Sequence, residues 1–412
     1  MLNVALACCA GIDVGKKIVA VCVLTSNGEH RPQSVTRFFG TTVTDLTALK
    51  EWMLECGCTH VAMESTGCYW KPVFNILEEY VNVLLANAQH IKNVPGRKTD
   101  VKDCQWLAYL LRHGLMRGSF IPPRPIRELR DLTRRRKQLI GEGTAERNRI
   151  QKVLEDANLK LGDVLSDLFG LSGQAMLEAL IEGRSSPEEV ADLARRKLRS
   201  KIPAIIKAIE GHELRDHHRF QLKQGLNHLQ FLEQQVQELD EEIQRRLEVY
   251  REPYELLKTI PGLGRDSAAV VIAEIGIDMT QFPSASHLSS WAGVCPGNNE
   301  SAGKHRSGRT RKGNSWLRAT LTQSAWAATR TKKAYFRSRY ERLVGRCGKK
   351  RALVATAHSL LAVIYFVLQR GTAYQELGVD YFDQRQKEAQ IRYHQKCLKR
   401  LAGTSLNQQV ST

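Results

Sequence analysis

Apolar residues recur at steps of three and four through a long stretch in the middle of the chain. This spacing predicts a long helix with one apolar stripe, as in a coiled coil. The stripe needs a partner because it is unfavourable to leave it in water. A helix near 126–154 of the same chain or a second subunit could supply that partner, and we favour the same chain. The stripe consists of Leu222, Leu226, Leu229, Leu232, Val236, Leu239, Ile243, Leu247 and Tyr250.

Three prolines, Pro122, Pro123 and Pro125, break the chain before this helical region. Clustered prolines end helices and stiffen a linker. Ser186 predicts a helix start within the region, since Glu189 follows it at capping-box spacing. We predict a first domain at 1–120, a helical coiled-coil region at 121–252, a mainly α-helical domain at 253–372 and a tail at 373–412, which is helical at 385–399 and partly disordered beyond Ala402.

The chain has a net charge of +18 and a sequence pI near 9.5. Its 42% hydrophobic and 25% charged residues are typical of a folded protein and exclude an intrinsically disordered one. The positive excess favours a polyanionic partner such as nucleic acid. One basic run, Arg134 to Lys137, fits a solvated helix face, with contact to phosphate as the alternative.

Nothing near the amino terminus resembles a secretory signal. The longest apolar run, 352–368, falls short of the roughly 18 residues that span a bilayer, so it predicts a buried helix. The ten cysteines are scattered without zinc-ligand spacing, which favours reduced thiols. We therefore expect a cytoplasmic protein with no membrane partner.

The first domain begins with a strand meander and then alternates strands with helices, which indicates a mixed α/β sheet covered by helices. Asn27-Gly28 predicts a tight hairpin turn, because this pair tolerates positive φ. Strands are predicted at 11–15, 18–23, 34–39, 60–63 and 81–85, and helices at 45–55, 70–80 and 100–112.

Four acids stand at informative places in this domain. Asp13 lies in the first strand, Glu64 ends a later one, and Asp100 and Asp103 share one helix face because they are three residues apart. Each has an ordinary interpretation as a cap or a solvated residue. Together they predict a Mg²⁺ site, since Mg²⁺ prefers carboxylate and phosphate oxygens.

The stretch 298–314 is polar, punctuated by glycine and rich in cations, and no Asp or Glu occurs from Ser301 to Tyr340. Such a loop suits a polyanion rather than a packed core. Ser301 could bind phosphate through its hydroxyl, which is the usual role in a basic loop, or act as a nucleophile. The cations that would stabilise charge at phosphorus are Lys304, Arg306, Arg309, Arg311 and Lys312.

A second phosphate contact is predicted at Gly262 and Gly264. The pattern from Leu257 through Gly264 and on to Ile275 fits a helix-hairpin-helix, whose glycine turn exposes backbone N–H groups at a helix start. The alternative is an ordinary turn between two helices.

The order of acids, strands and helices resembles the RuvC-like, ribonuclease-H-type nuclease fold. The actin-like ATPase fold also begins with an Asp and a glycine turn, but no further Gly-rich phosphate loops follow here. Three sequence segments around the acids and three around Ser301 resemble the corresponding motifs of the transposases of insertion-sequence family one-ten. They are Gly11-Ile12-Asp13-Val14-Gly15, Met63-Glu64-Ser65-Thr66-Gly67, Lys98-Thr99-Asp100-Val101-Lys102-Asp103, Gly293-Val294-Cys295-Pro296, Ser301-Ala302-Gly303-Lys304 and Lys312-Gly313-Asn314-Ser315-Trp316-Leu317-Arg318.

The resemblance implies a DNA transposase-recombinase of bacterial origin, associated with the nucleoid when acting. Asp13, Glu64, Asp100 and Asp103 would hold Mg²⁺, and Ser301 would form a phosphoserine link to DNA. It further implies a dimer acting as a tetramer, active sites shared between subunits, and a non-coding bridge RNA that pairs with donor and target DNA. Many members carry Ser-Ser-Gly-Gly where this chain has Glu300-Ser301-Ala302-Gly303. Ser301 is therefore the candidate nucleophile within this motif, and Ser307 is a weaker candidate.

Three alternatives remain open at this point. A DNA invertase of the same family would share the chemistry and act at fixed sites. A structure-selective nuclease of the RuvC type would need the four acids and no serine. A non-enzymatic nucleic-acid-binding protein would show no dependence on metal.

Overall fold

A computed structural model describes residues 6–26, 32–65, 67–86, 100–116, 118–183, 186–297, 299–301 and 304–409. The predicted turn at Asn27-Gly28 lies outside these residues. The chain divides into two compact units, 1–121 and 122–412. The predicted boundaries at 252/253 and 372/373 fall inside the second unit and stay predictions.

The first unit contains a mixed five-stranded sheet in the order β3-β2-β1-β4-β5. The first three strands form an antiparallel meander, and β4 and β5 continue the sheet in parallel from β1. This is the mixed sheet that the sequence predicts. The strands are β1 (Cys8–Val14), β2 (Val19–Thr25), β3 (Gln33–Phe39), β4 (His60–Glu64) and β5 (Asn82–Ala86).

Helices cover both faces of this sheet. On one face, α1 (Val43–Glu55) and α2 (Trp70–Leu77) pack against a core of large apolar residues that includes Ile12 and Met63. On the other face, α3 (Asp100–Arg112) packs against small residues of the strands. The small residues under α3 are Cys9, Ala20, Cys22 and Ala62.

Gly11 explains why α3 lies so close to β1. A Cβ atom at this position would be 2.1 Å from the carbonyl oxygen of Cys104 and 2.4 Å from the backbone nitrogen of Ala108. Both are backbone atoms of α3, so no side-chain rotation could relieve the clash. The absence of a side chain at residue 11 therefore sets the distance between sheet and helix.

Two long helices run through the second unit, α4 (Arg124–Asp156) and α9 (Asp216–Leu247). They pack extensively against each other, so the same chain supplies a partner for the leucine stripe. Leu222, Leu226 and Leu229 of the stripe are buried in the core between them. The coiled-coil geometry in the strict sense stays a prediction.

Shorter helices close the far end of this pair: α5 (Leu161–Val164), α6 (Leu171–Glu182), α7 (Pro187–Asp192) and α8 (Ile202–Ile209). The predicted helix start at Ser186 is confirmed. The Ser186 hydroxyl accepts from the Glu189 N–H, and the Glu189 carboxylate accepts from the Ser186 N–H. The apolar residues of these helices form one core with α4 and α9.

The remainder of the second unit is mostly helical, with a small β-hairpin. Its helices are α10 (Arg251–Lys258), α11 (Arg265–Ile275), α12 (Ala285–Ala292), α13 (Ser315–Ala328), α14 (Tyr335–Cys347), α15 (Lys349–Arg370) and α16 (Tyr381–Gln409), and the hairpin strands are β6 (Asn299–Ser301) and β7 (Lys304–Ser307).

The apolar run at 352–368 lies in α15, which is longer than predicted because basic residues extend it at both ends. By length and composition alone, α15 could cross a membrane, but half of its most apolar window is buried inside the unit. It packs against α12, α13 and α14. These contacts account for its composition as a core helix.

The tail is helical over a longer range than predicted. The helix α16 begins at Tyr381 and continues to Gln409. The expected partial disorder beyond Ala402 stays a prediction. Its first turn packs on α14, where the ring of Phe382 stacks on Tyr335 and Asp383 forms an ion pair with Arg342.

Candidate active site

Two of the predicted acids lie side by side at one edge of the sheet. The strands β1 and β4 are parallel, with Ile12 opposite Met63. The next residue on each strand is Asp13 and Glu64, respectively. Because side chains alternate along a strand and Ile12 and Met63 point into the α1/α2 core, both acids face α3.

The other two acids belong to the first turn of α3. Asp103 is partly buried, and the side chain of Asp100 lies outside the described part of the structure. Burial raises the pKa of the neighbouring Cys104 thiol to about 11, and the negative charge of Asp13 contributes to the rise. A Cβ at Gly11 would lie 2.1 Å from the Cys104 carbonyl oxygen, so the residues next to Asp103 pack against the strand that carries Asp13. The structure brings Asp13, Glu64 and this turn to one edge of the sheet.

These carboxylates suit a hard cation, but the described ones, those of Asp13, Glu64 and Asp103, do not form a group of ligand atoms within 4.8 Å of one another. Among the described side chains, the group whose ligand atoms all lie within 4.8 Å of one another is Asp156, His217 and His218. A site for two ions about 3.5–4 Å apart spreads its ligands further than a site for one. Carboxylate oxygens of this kind are compatible with a divalent cation.

The group at Asp156 has a simpler explanation than metal binding. Nδ1 of His218 accepts from the Arg215 N–H, so its Nε2 carries the proton and donates to Asp156 at 2.9 Å. A metal on Nε2 would need the lone pair that this proton occupies. His218 is buried and ties the start of α9 to the end of α4.

The basic stretch that contains Ser301 forms a β-hairpin. Ser301 pairs with Lys304 as the last register pair, so residues 302–303, which lie outside the described residues, connect the two strands. The side chains of Ser301, Lys304 and Arg306 also lie outside the described part. Beyond the hairpin, Arg309, Arg311 and Lys312 are exposed.

The hairpin is fixed at its base by backbone contacts. The Gly297 N–H donates to the Arg309 carbonyl at 2.8 Å, and Pro296 bridges Thr310. Lower still, Gly313 packs directly on Gly293, where a Cβ at residue 313 would be 2.5 Å from the Gly293 nitrogen. Gly293 has φ +73°, the left-handed conformation that ends α12. The two ends of the stretch therefore meet at a glycine pair.

A buried acid that we did not predict lies beside this base. Glu274 of α11 is fully buried, and both of its oxygens accept from Arg134, at 2.7 and 2.8 Å. The same carboxylate accepts from Nδ2 of Asn314 at 2.5 Å. Arg134 therefore pairs with a buried acid while its own side chain stays 31% exposed, so it is engaged by Glu274 and is not simply part of a solvated face. The sequence feature that could have predicted this buried acid is a single glutamate within a mostly apolar helix.

The two glycines of the predicted helix-hairpin-helix differ in their surroundings. Gly262 has φ +86°, and a Cβ there would be 2.2 Å from the Ser324 carbonyl, so it packs against α13. The Gly264 N–H donates to the Ser267 hydroxyl at 2.8 Å. Whether α10 and α11 act as a helix-hairpin-helix stays a prediction.

Both glycines line a groove of about 660 Å³ between α4, α9, α11 and α13. Arg136 bridges Asp240 and Asp266 across this groove. Lys137 and Arg265 also line it, and neither has an ion-pair partner among the described residues. The groove thus joins part of the basic run of α4 to the start of α11, where the helix dipole is positive.

Two protein-family models match two separate segments of the chain. A family model described as "Transposase", for the DEDD transposase of IS110, matches residues 10–158. A second, described as "Transposase IS116/IS110/IS902 family", matches residues 254–341. Together they cover more than half of the 412 residues.

A curated relative is the "Insertion element IS110 uncharacterized 43.6 kDa protein" of Streptomyces coelicolor. It is 35% identical over 123 residues, which is 29% of this chain. The match spans only 30% of the relative's length. With both family models matched in chain order, the chain belongs to the IS116/IS110/IS902 family of transposases.

Proposed function

We propose that this protein is a DNA transposase that cuts and rejoins DNA through a covalent link to Ser301. One observation carries the proposal: the two matched segments, 10–158 and 254–341, contain all four acids and the serine. The hairpin supports it, because Ser301 is the last residue of β6, pairs with Lys304 of β7 and begins a run to Tyr340 that contains no Asp or Glu.

In the proposed reaction, the Ser301 oxygen attacks the phosphorus of a DNA phosphodiester. A bond from Oγ to phosphorus forms as the hydroxyl gives up its proton, a bond from phosphorus to a deoxyribose oxygen breaks, and that oxygen takes up a proton. The number of ester bonds is unchanged, so a second deoxyribose hydroxyl can reverse the step and rejoin DNA. Arg309, Arg311 and Lys312 stabilise the charge that develops at phosphorus.

Asp13, Glu64, Asp100 and Asp103 would hold Mg²⁺. The ion would activate the attacking oxygen and stabilise the leaving one. The residues of the sheet edge orient the carboxylates: parallel pairing sets Asp13 beside Glu64, and Gly11 sets the distance to α3.

We further propose that the protein works as a dimer that assembles into a tetramer, guided to donor and target DNA by a non-coding bridge RNA. The four acids and Ser301 belong to different units of the chain. That separation is compatible with a site assembled from two subunits. The net charge of +18 supports binding of two nucleic acids.

The test is a search for DNA that stays attached to denatured protein. Protein, Mg²⁺, the RNA and end-labelled DNA of the element junction are incubated and then separated in SDS. We expect labelled protein that is lost when Mg²⁺ is chelated and lost in Asp13→Asn, but retained in Asp163→Asn, which removes an exposed acid of the second unit. Cut DNA without labelled protein would support a RuvC-type nuclease, and binding without cutting would support a non-enzymatic role.

We also propose that the groove at the start of α11 holds nucleic-acid phosphates through Lys137 and Arg265. The double variant Lys137→Gln/Arg265→Gln should weaken binding and lower the slope of log Kd against log salt by about 2, since each lost phosphate contact accounts for about 0.9. A filter-binding series in KCl measures this slope. Lys207→Gln/Lys223→Gln removes two exposed lysines outside the groove and should leave the slope unchanged. Equal slopes for both double variants would contradict the assignment.

A further inference from the structure

We infer that Glu274 is a positioning residue for Ser301, because its buried carboxylate fixes the base of the β6–β7 hairpin through Asn314. The inference rests on the proposed role of Ser301 and adds a residue that lies outside the DNA-contacting stretch. Glu274 has no exposed surface, and the stretch that carries Ser301 ends at Asn314.

Asn314 makes two sets of contacts at the point where the stretch ends and α13 begins. Its Oδ1 accepts from the N–H groups of Trp316 and Leu317, each at 3.1 Å, and caps the helix. Its Nδ2 donates to Glu274 at 2.5 Å. The first set would hold with any capping residue, whereas the second requires a side-chain donor long enough to reach Glu274. The contact with Glu274 therefore does more than start the helix.

Glu274 is itself held rigidly. Arg134 donates two parallel hydrogen bonds to it, which is the strongest geometry for a carboxylate. Arg130 lies 3.3 Å from the carboxylate and donates to the carbonyls of Ala273 and Glu274 at the end of α11. Burial lowers the pKa of Arg130 to about 10, so it stays charged at neutral pH. The carboxylate is thus tied to α4 and α11 before it meets Asn314.

This arrangement is costly for stability alone, because desolvation of a buried ion pair offsets much of its attraction. The ion pair does, however, fix the position of the chain at Asn314. The stretch is held at Asn314 by Glu274 and, one residue earlier, at Gly313 by its contact with Gly293. Two adjacent anchors fix both position and direction of the chain that leads back to Ser301. An error of about 1 Å in a reacting atom can cost about a hundredfold in rate.

Two variants test the inference. Asn314→Ser keeps a capping oxygen for α13 and removes the donor to Glu274. Glu274→Gln keeps the shape and removes the charge. In both, we expect backbone amides of 299–313 to exchange hydrogen at least about tenfold faster without DNA, because the base of the hairpin loosens. We also expect the maximal rate of DNA attachment to fall about 10- to 100-fold, with the half-saturating DNA concentration within about twofold of wild type.

The control is His218→Ala, which removes a buried residue at the start of α9 that is hydrogen-bonded to Asp156. It should lower the unfolding midpoint but leave hairpin exchange and attachment rate unchanged. Unchanged exchange in Asn314→Ser and Glu274→Gln would overturn the inference, whatever Ser301 does. Faster exchange with a wild-type attachment rate would overturn the positioning role. If wild-type protein attaches no DNA, the proposed function fails and positioning of a nucleophile fails with it, while the exchange data still report on the anchor.

Discussion

Replacing Ser301 with alanine should reduce the yield of DNA-linked protein at least about a thousandfold, because the change removes the oxygen that would carry the link. DNA binding should persist, since the cations of the stretch are unchanged. The readout is the SDS-resistant label described above, with binding measured separately by filter retention. Ser307→Ala is the matched control, as it removes a second hydroxyl from the same hairpin. Label that persists in Ser301→Ala and disappears in Ser307→Ala would move the assignment to Ser307.

The same variant tests whether one active site draws on two subunits. Ser301→Ala lacks the serine and Asp13→Asn lacks an acid, so each protein alone should be inactive. If the serine of one subunit acts with the acids of its partner, an equal mixture should recover about a quarter of the wild-type sites by statistical pairing. If each subunit supplies its own serine and acids, the mixture stays at background. This comparison needs no knowledge of how the two units are arranged.

Replacing Gly11 with valine should lower the free energy of unfolding of the first unit by about 3 kcal/mol or more, because overpacking against an immobile backbone forces whole elements apart. The carbonyl of Cys104 and the nitrogen of Ala108 would both lie within 2.4 Å of the new Cβ. The helix α3 must then move away from β1. Denaturant unfolding measures the loss, and faster hydrogen exchange in β1 and α3 locates it.

A control for the glycine effect is Gly141→Ala on α4, where an added Cβ meets nothing within 4 Å. That change should stabilise the helix by about 0.5–1 kcal/mol. Moving α3 also separates Asp103 from Asp13, so Gly11→Val should lose Mg²⁺-dependent attachment at temperatures where the second unit remains folded. Wild-type stability in Gly11→Val would contradict the packing described for α3.

Local patterns predicted the first unit well, because its strands and helices are set by residues near in sequence. Alternation placed Asp13 and Glu64 on strands, and parallel pairing of those strands then brought the acids together. The close approach at Gly11 could not be predicted, because its contacts lie more than ninety residues away in the chain. Periodicity specified a stripe on α9, but both possible partners satisfied it equally.

The site around Ser301 was only partly predictable. Composition identified a polar stretch rich in cations, but not that it forms a hairpin anchored by a glycine pair. Glu274 escaped notice because its partners, Arg134 and Asn314, are 140 and 40 residues away, and nothing local links them. Buried ion pairs between distant helices leave no periodic signal in a sequence.

Ion pairs between arginines and acids inside the second unit reduce the number of cations that are available to bind a polyanion. Arg134 and Arg136 belong to a basic run, yet one neutralises buried Glu274 and the other bridges Asp240 and Asp266. Cations engaged in this way displace few counterions from a nucleic acid. The formal charge of +18 therefore overstates the footprint that a polyanion would meet. Ionic-strength experiments should be interpreted from the unpaired cations, of which Lys137 is one, and not from the isoelectric point.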